Sequence, residues 1–314
     1  MAYVLRQVQA GEDYPRLAAL ESLWDYAPVS GDELRHMETS QPEGTLFQRI
    51  VAIDDAGWIV GTAKAGHQHW EQEGRFFVMV IVDPMVRNQG IGSYLYETAL
   101  GFIDQHRASS VESIVGEDNP AARRFAETRG FSVTRHLYPS TLDVRTFDAT
   151  PFAGTIESLE DAGIRFFTWA DLEGTADQKR MLYQLYIAAE QDVPADDPYH
   201  PPPPEQFQKD ILESPAFLPQ GLIIAANGDQ WVGVTQVLSG DREVVYHGFT
   251  GVVRGHRGRN IAVALKLLSI GACQRLQVKQ VKTSNDSQNL PMLAINRKLG
   301  CTSEPGAYVV RKEL

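Results

Sequence analysis

The stretch Val82–Leu100, VDPMVRNQGIGSYLYETAL, reads as the end of a strand, a basic glycine-bearing turn and the start of a helix. Thr250–Leu268, TGVVRGHRGRNIAVALKLL, reads the same way. Setting Arg87 against Arg257 gives an offset of 170 residues, and Asn119 against Asn289 and Gly130 against Gly300 repeat it. Three landmarks at one spacing mark a duplicated unit. A chain of 314 residues is long for one domain and ample for two. The copies are taken as 1–149 and 150–314, with the junction in the turn-rich Asp148-Ala149-Thr150-Pro151.

Working outward, Phe76–Val82 (FFVMVIV) is apolar without alternation, as a strand covered on both faces should be. The helix after Gly90 places Ile91, Tyr94, Leu95, Phe102 and Ile103 on one face. Before it, Tyr3–Val8 alternates like a strand, Tyr14–Tyr26 and Asp32–Thr39 read as helices, and Phe47–Ile53 with Trp58–Ala65 as a hairpin through Asp54–Gly57. After it, Val111–Val115 is a strand, Pro120–Arg129 a helix stopped by Gly130, and strands run from Phe131 to about Val144. The second copy repeats the order: strand Ile164–Thr168, helices Ala176–Glu190 and Gln206–Leu212, hairpin Leu222–Ala226 with Trp231–Leu238, long strand Val244–Val253, and a helix from about Asn260. The proline-rich Val193–Pro204 reads as a semi-rigid loop inside that copy. The fold class is α/β: two tandem domains, each a mixed sheet flanked by helices.

Composition narrows the function. The chain is 43% hydrophobic and 22% charged, which fits a globular protein with a real core. Its formal net charge of −11 disfavours a nucleic-acid partner and weakly favours a cationic one. No apolar run is long enough for a membrane span, and MAYVLRQVQAGEDYP lacks the pattern of a secretory signal, so no membrane partner and a cytoplasmic location are expected. Cys273 and Cys301 form neither a disulfide framework nor a metal knuckle. His67 and His69 are the one close histidine pair, with no third ligand suggested, so no metal is expected.

The turns Arg87-Asn88-Gln89-Gly90-Ile91-Gly92 and Arg257-Gly258-Arg259-Asn260-Ile261-Ala262 carry the chemistry. The first turn of a helix presents unpaired N–H groups and partial positive charge, small residues let an anion approach, and an arginine adds charge. A phosphate or diphosphate ligand follows. No G-K-[ST] completes a nucleoside-triphosphate loop, and the spaced glycines of a dinucleotide fingerprint are missing. With the downstream N-P-A-A-R-R-F-A-E-T-R-G-F and N-L-P-M-L-A-I-N-R-K-L-G, each copy resembles the GNAT superfamily of acyl-CoA-dependent N-acetyltransferases, and the whole chain resembles its tandem members.

That resemblance implies a sheet splayed between its fourth and fifth strands, with acetyl-coenzyme A as co-substrate in the splay and the amine of a small molecule as acceptor. Residues Arg87, Asn88, Gln89, Gly90, Ile91 and Gly92, and in the second copy Arg257, Gly258, Arg259, Asn260, Ile261 and Ala262, would hold the diphosphate. The backbones of Val80, Val82, Thr250 and Val252 would meet the pantetheine and thioester. Asn119 and Asn289 either lie near the pantetheine arm or only cap their helices. Both copies are expected to bind the coenzyme, the second to be catalytic, and the repeat to act as a pseudo-dimer.

Two departures stand out. Asn260 replaces the first small glycine, and the family's tyrosine acid, seven residues after the asparagine, is Ala126 in one copy and Asn296 in the other. Asn296 could hydrogen-bond to the sulfur. Glu73 and Glu243, again 170 residues apart, are candidate bases or solvated strand-end residues. His247 on the long strand reads as structural, and Asp192, Asp196 and Asp197 either select a cationic acceptor or solubilise a loop. An acyl-CoA-binding or sensing module without turnover is the alternative.

Overall fold

A computed structural model describes residues 3–9, 11–23, 30–42, 44–67, 73–194, 199–240 and 243–314. His69, Trp24–Val29, Asp196 and Asp197 lie outside them. The chain forms two compact units, 1–137 with 305–314, and 138–304.

The first unit begins with β1 (Val4–Gln7), α1 (Tyr14–Glu21) and α2 (Gly31–Thr39). The hairpin β2 (Phe47–Ile53) and β3 (Ile59–Gly66) follows, then β4 (Arg75–Val82), α3 (Ile91–Gln105), β5 (Ser110–Gly116) and α4 (Pro120–Glu127). β6 (Ser132–Asp143) starts in this unit and ends in the second. The second unit holds α5 (Thr155–Asp161), β7 (Ile164–Thr168), α6 (Ala176–Glu190), α7 (Pro204–Phe207), β8 (Phe217–Asn227), β9 (Gln230–Ser239), β10 (Val244–Val252), α8 (Ile261–Arg275), β11 (Gln280–Asp286), α9 (Leu290–Lys298) and β12 (Thr302–Ser303). The last strand, β13 (Ala307–Glu313), returns to the first unit.

β4 is covered on both faces, as its composition requires. Phe76 and Val78 pack with Leu95, Ala99 and Ile103 of α3, whereas Ile81 packs with Leu17 and Leu20 of α1 and Leu34 of α2. The buried stripe of α3 is Ile91, Leu95, Tyr96, Ala99 and Ile103; Tyr94, expected on it, is half exposed because it lies more than a third of a turn from the stripe's centre. β8 is longer than the pattern indicates. The hairpin strand expected from Leu222 begins at Phe217, and a register shift between Phe217 and Leu222 absorbs Pro219 and Gly221.

The division of the chain differs from the 149/150 boundary. Strand order in the first unit is β1-β2-β3-β4-β5-β13-β6, and in the second β6-β11-β10-β9-β8-β7, with β12 also on β6. β13 pairs antiparallel with β5 from Ala307↔Gly116 to Glu313↔Ser110, and Arg311 pairs with Glu112 of that strand. Applying the 170-residue offset, β12 and β13 together are the counterpart of β6. The later part of each is built into the other unit. Alternation marks both as strands and is silent on which sheet each joins, since that choice rests on contacts remote in sequence.

Candidate active site

In the first unit β4 and β5 are parallel neighbours only at Arg75↔Ser110, Phe76↔Val111 and Phe77↔Glu112. Beyond these the strands part. A cleft of about 450 Å³ opens there, walled by Val78–Val82, Ser113–Gly116, the first turns of α3 and the inner face of α4. One edge of β4 stays on β3: the Asp83 amide donates to the Val60 carbonyl at 2.9 Å. Amide directions alternate along a strand, so those of Val80 and Val82 face the open edge. The Val82 carbonyl accepts from Arg87 Nε at 3.0 Å, which is consistent with that direction and ties the arginine to the mouth.

The turn before α3 enters left-handed backbone twice, at Asn88 (φ 63°) and at the cap Gly90 (φ 86°). The cap residue Gly90 has no side chain to close the helix start, so the leading amides of α3 are left to what sits in front of them. Val80, Val82, Arg87, Asn88, Gly90, Ile91, Gly92 and Asn119 all line the one cleft. Gln89 does not; its side chain accepts from the Tyr3 hydroxyl at 2.7 Å. Asn119 caps α4, accepting from the Ala122 amide at 3.0 Å, and at the same time lines the cleft, so its two readings hold together.

The second unit repeats the backbone with the glycine and asparagine exchanged. Gly258 (φ 75°) and Asn260 (φ 63°) take the two left-handed positions, and asparagine tolerates that region better than other side-chain-bearing residues. β10 and β11 pair at Val244↔Gln280, Val245↔Val281 and Tyr246↔Lys282 before parting. Thr250 hydroxyl bonds Thr235 at 2.7 Å, Val252 is buried, and Asn289 caps α9 through the Met292 amide at 3.3 Å. Here the arginine is engaged differently. Arg257 gives Nε to the Val252 carbonyl at 2.8 Å and an ion pair at 2.8 Å to Asp192, which also pairs with Arg254. The Arg254 hydrogen bond, helped by the Arg257 charge, holds the Asp192 carboxyl below its ordinary range. Asp192 is therefore engaged by the turn's own cations, Arg254 and Arg257.

Of the candidate catalytic residues, the two glutamates lie at the ends where their strands are still paired, away from the splays. Glu73 is exposed just before β4, at the end where β4 and β5 are paired, and does not line the cleft. Glu243 is exposed at the corresponding place and forms an ion pair with Lys279 at 2.5 Å. Asn296 is 2% exposed and donates to Asn285 Oδ1 at 2.7 Å, an internal partner. His67 Nδ1 meets the Arg75 carbonyl at 2.7 Å.

Two residues not singled out from sequence occupy one repeat position on the helix that follows the turn, Tyr96 on α3 and Lys266 on α8. Tyr96 is 6% exposed and forms part of the cleft wall. Lys266 is buried, which pushes its ammonium down to about 8, and its Nζ lies 3.5 Å from His247 Nδ1. Burial, with the Lys266 charge next to it, drives the His247 imidazole well below the usual histidine range, and its Nε2 bonds Ser269 Oγ at 2.8 Å. The spacing that reveals the repeat also pairs these positions, but neither belongs to a motif. Among the described residues no three His, Cys, Asp or Glu side chains converge as metal ligands.

The acetyltransferase (GNAT) family model matches residues 13–131, the stretch that builds this cleft. No curated relative matches the sequence. Among solved structures, a tandem GNAT protein from the clavulanic acid biosynthesis pathway superposes with TM-score 0.76 at 20% identity, covering 99% of this chain and 98% of that one. A GCN5-related N-acetyltransferase from Sphaerobacter thermophilus gives 0.71 at 19% identity, covering 99% and 95%. The glucosamine N-acetyltransferase region of a fungal multi-domain β-N-acetylglucosaminidase gives 0.70 at 15% identity, covering 99% of this chain and 38% of that one. The chain thus has the two-domain fold of tandem GNAT proteins, and residues 13–131 of its first domain match the acetyltransferase (GNAT) family model.

Proposed function

We propose that the first unit binds acetyl-coenzyme A and transfers its acetyl group to the amine of a small-molecule acceptor. One observation carries this reading: a single cleft joins an uncapped, glycine-opened helix start to a strand edge whose amides are open. The diphosphate would sit on the amides that follow Gly90, with Arg87 beside it. The pantetheine arm would run along the open edge of β4, taking the strand position that β5 has vacated. At its end the Val80 amide points where the thioester oxygen gains charge, a preorganised donor for the tetrahedral adduct. Glu73 and Glu243 have no part in this proposal.

The second unit, expected from sequence to be the catalytic one, is the weaker candidate, because Asp192 neutralises Arg257 at its turn. Mixing the protein with acetyl-coenzyme A and a panel of small amines, and following free thiol, tests the reading. Acceptor-dependent thiol release is expected. Binding of the coenzyme without release under any acceptor would instead identify a sensing module.

A further inference from the structure

We propose that the Tyr96 hydroxyl is the group that meets the departing sulfur in the first unit, in place of the tyrosine that α4 lacks. The inference rests on the cleft being the acyl-coenzyme A site.

Tyr96 sits six residues beyond Gly90, about 9 Å up the helix from the diphosphate position. Its ring forms part of the cleft wall, between Phe125 and Phe131, with centroid distances of 6.1 and 6.3 Å. Phe125 precedes Ala126 in the chain and the Phe131 amide donates to the Ala126 carbonyl at 3.2 Å, and Ala126 lines the same cleft with only a methyl group. The room a tyrosine on α4 would fill is thus approached by one on α3.

The hydroxyl of Tyr96 is buried and has no hydrogen-bond partner among the described residues. A buried phenol ordinarily finds one, and the cost of leaving it without is avoided if a ligand supplies it. The other repeat makes the contrast. There the same position is Lys266, whose donor is directed at His247, itself bonded to Ser269. Only the first unit keeps its donor unspent among the described groups. Burial raises the phenol above its ordinary range, so it stays protonated through neutral pH. The Arg129 guanidinium, 5.3 Å from the ring centroid, favours any negative charge developing there.

The step balances without a further reactant. The neutral acceptor amine attacks the thioester carbon and forms the C–N bond. As the adduct collapses, the C–S bond breaks and its electron pair stays on sulfur, which takes a proton from Tyr96. The proton lost by the acceptor nitrogen restores the phenol through water, leaving an amide and a free thiol. A thiol ionises near pH 8.5, so the hydroxyl assists a leaving group that is already fair, and its loss slows the step rather than stopping it.

The test uses the whole protein with bound coenzyme A, titrated by the ultraviolet absorbance of its thiolate, alongside the Tyr96→Phe variant. Phe keeps the ring in the core and removes an unsatisfied hydroxyl, so an unchanged or higher melting temperature is expected. The bound thiol should ionise about one pH unit lower in wild type than in Tyr96→Phe, reflecting a donor on the sulfur. Affinity for the coenzyme at neutral pH should change less than about threefold, and kcat should fall by roughly 10–100-fold with KM for the amine unchanged. Should the Phe variant be unstable, Tyr96→Leu, compared at a temperature where it is folded, carries the same expectation for thiol ionisation. Equal thiol ionisation in wild type and variant overturns the proposal. Failure of wild type to bind the coenzyme would overturn the cleft reading and this proposal with it, and would show before any variant is compared.

Discussion

At two places in each turn the backbone crosses into the left-handed region, and each copy meets this with one asparagine and one glycine in opposite order: Asn88 and Gly90, Gly258 and Asn260. A Cβ at Gly90 would touch nothing within 4 Å, so the constraint there is conformational rather than one of space. Gly90→Val should lower stability by about 1–2 kcal/mol, read by urea denaturation, and weaken coenzyme binding by tilting the first amides of α3. Asn260→Gly should leave stability nearly unchanged. This much was legible from residue types alone, because a basic, glycine-bearing turn before an apolar helix has few physical readings. The role of Asp192 was not legible. Its carboxylate lies in a loop remote in sequence from Arg254 and Arg257, and only folding brings them together.

Helices α3 and α8 start from the same turn and bury different chemistry at the same position. Lys266 is the instructive case, since burial lowers its pKa from 10.5 to about 8. The folded state therefore binds fewer protons than the unfolded chain between about pH 8 and 10.5. The penalty of burying the ammonium is present in full below pH 8 and is relieved as pH rises through that window. Lys266→Met should raise stability at pH 7, by an amount on the order of 1–2 kcal/mol once the lost contact to His247 is deducted. The advantage should shrink toward pH 10. Thermal melts of both proteins across that range provide the check.

Glu73 and Glu243 match because the chain is duplicated, which says that both precede the long strand and says nothing of catalysis. Periodicity located the strand; which end of it opens is fixed by where β4 leaves β5, a tertiary fact.

Over the whole chain, the repeat was visible and the exchange of its last strands was not. Because β13 lies between β5 and β6, the first unit is incomplete without residues 305–314. Deleting them should expose the β5 edge, remove hydrogen-exchange protection from Ser110–Gly116 and abolish binding in the cleft, while the second unit keeps its protection. A fragment ending at residue 149 should fold only when a peptide spanning 305–314 is supplied, with circular dichroism as the readout.

The claim that the splay of the first unit is the coenzyme site is tested most directly by calorimetric titration of acetyl-coenzyme A into wild type and two variants. A Cβ at Gly92 would meet Phe125 and Val82 at 3.6 Å, an ordinary contact, so Gly92→Glu should fold while placing a carboxylate on the anion site. Binding to wild type is expected to weaken roughly 100-fold in Gly92→Glu, about 2.7 kcal/mol, and to survive Ala262→Glu. Undiminished binding by Gly92→Glu would contradict the account.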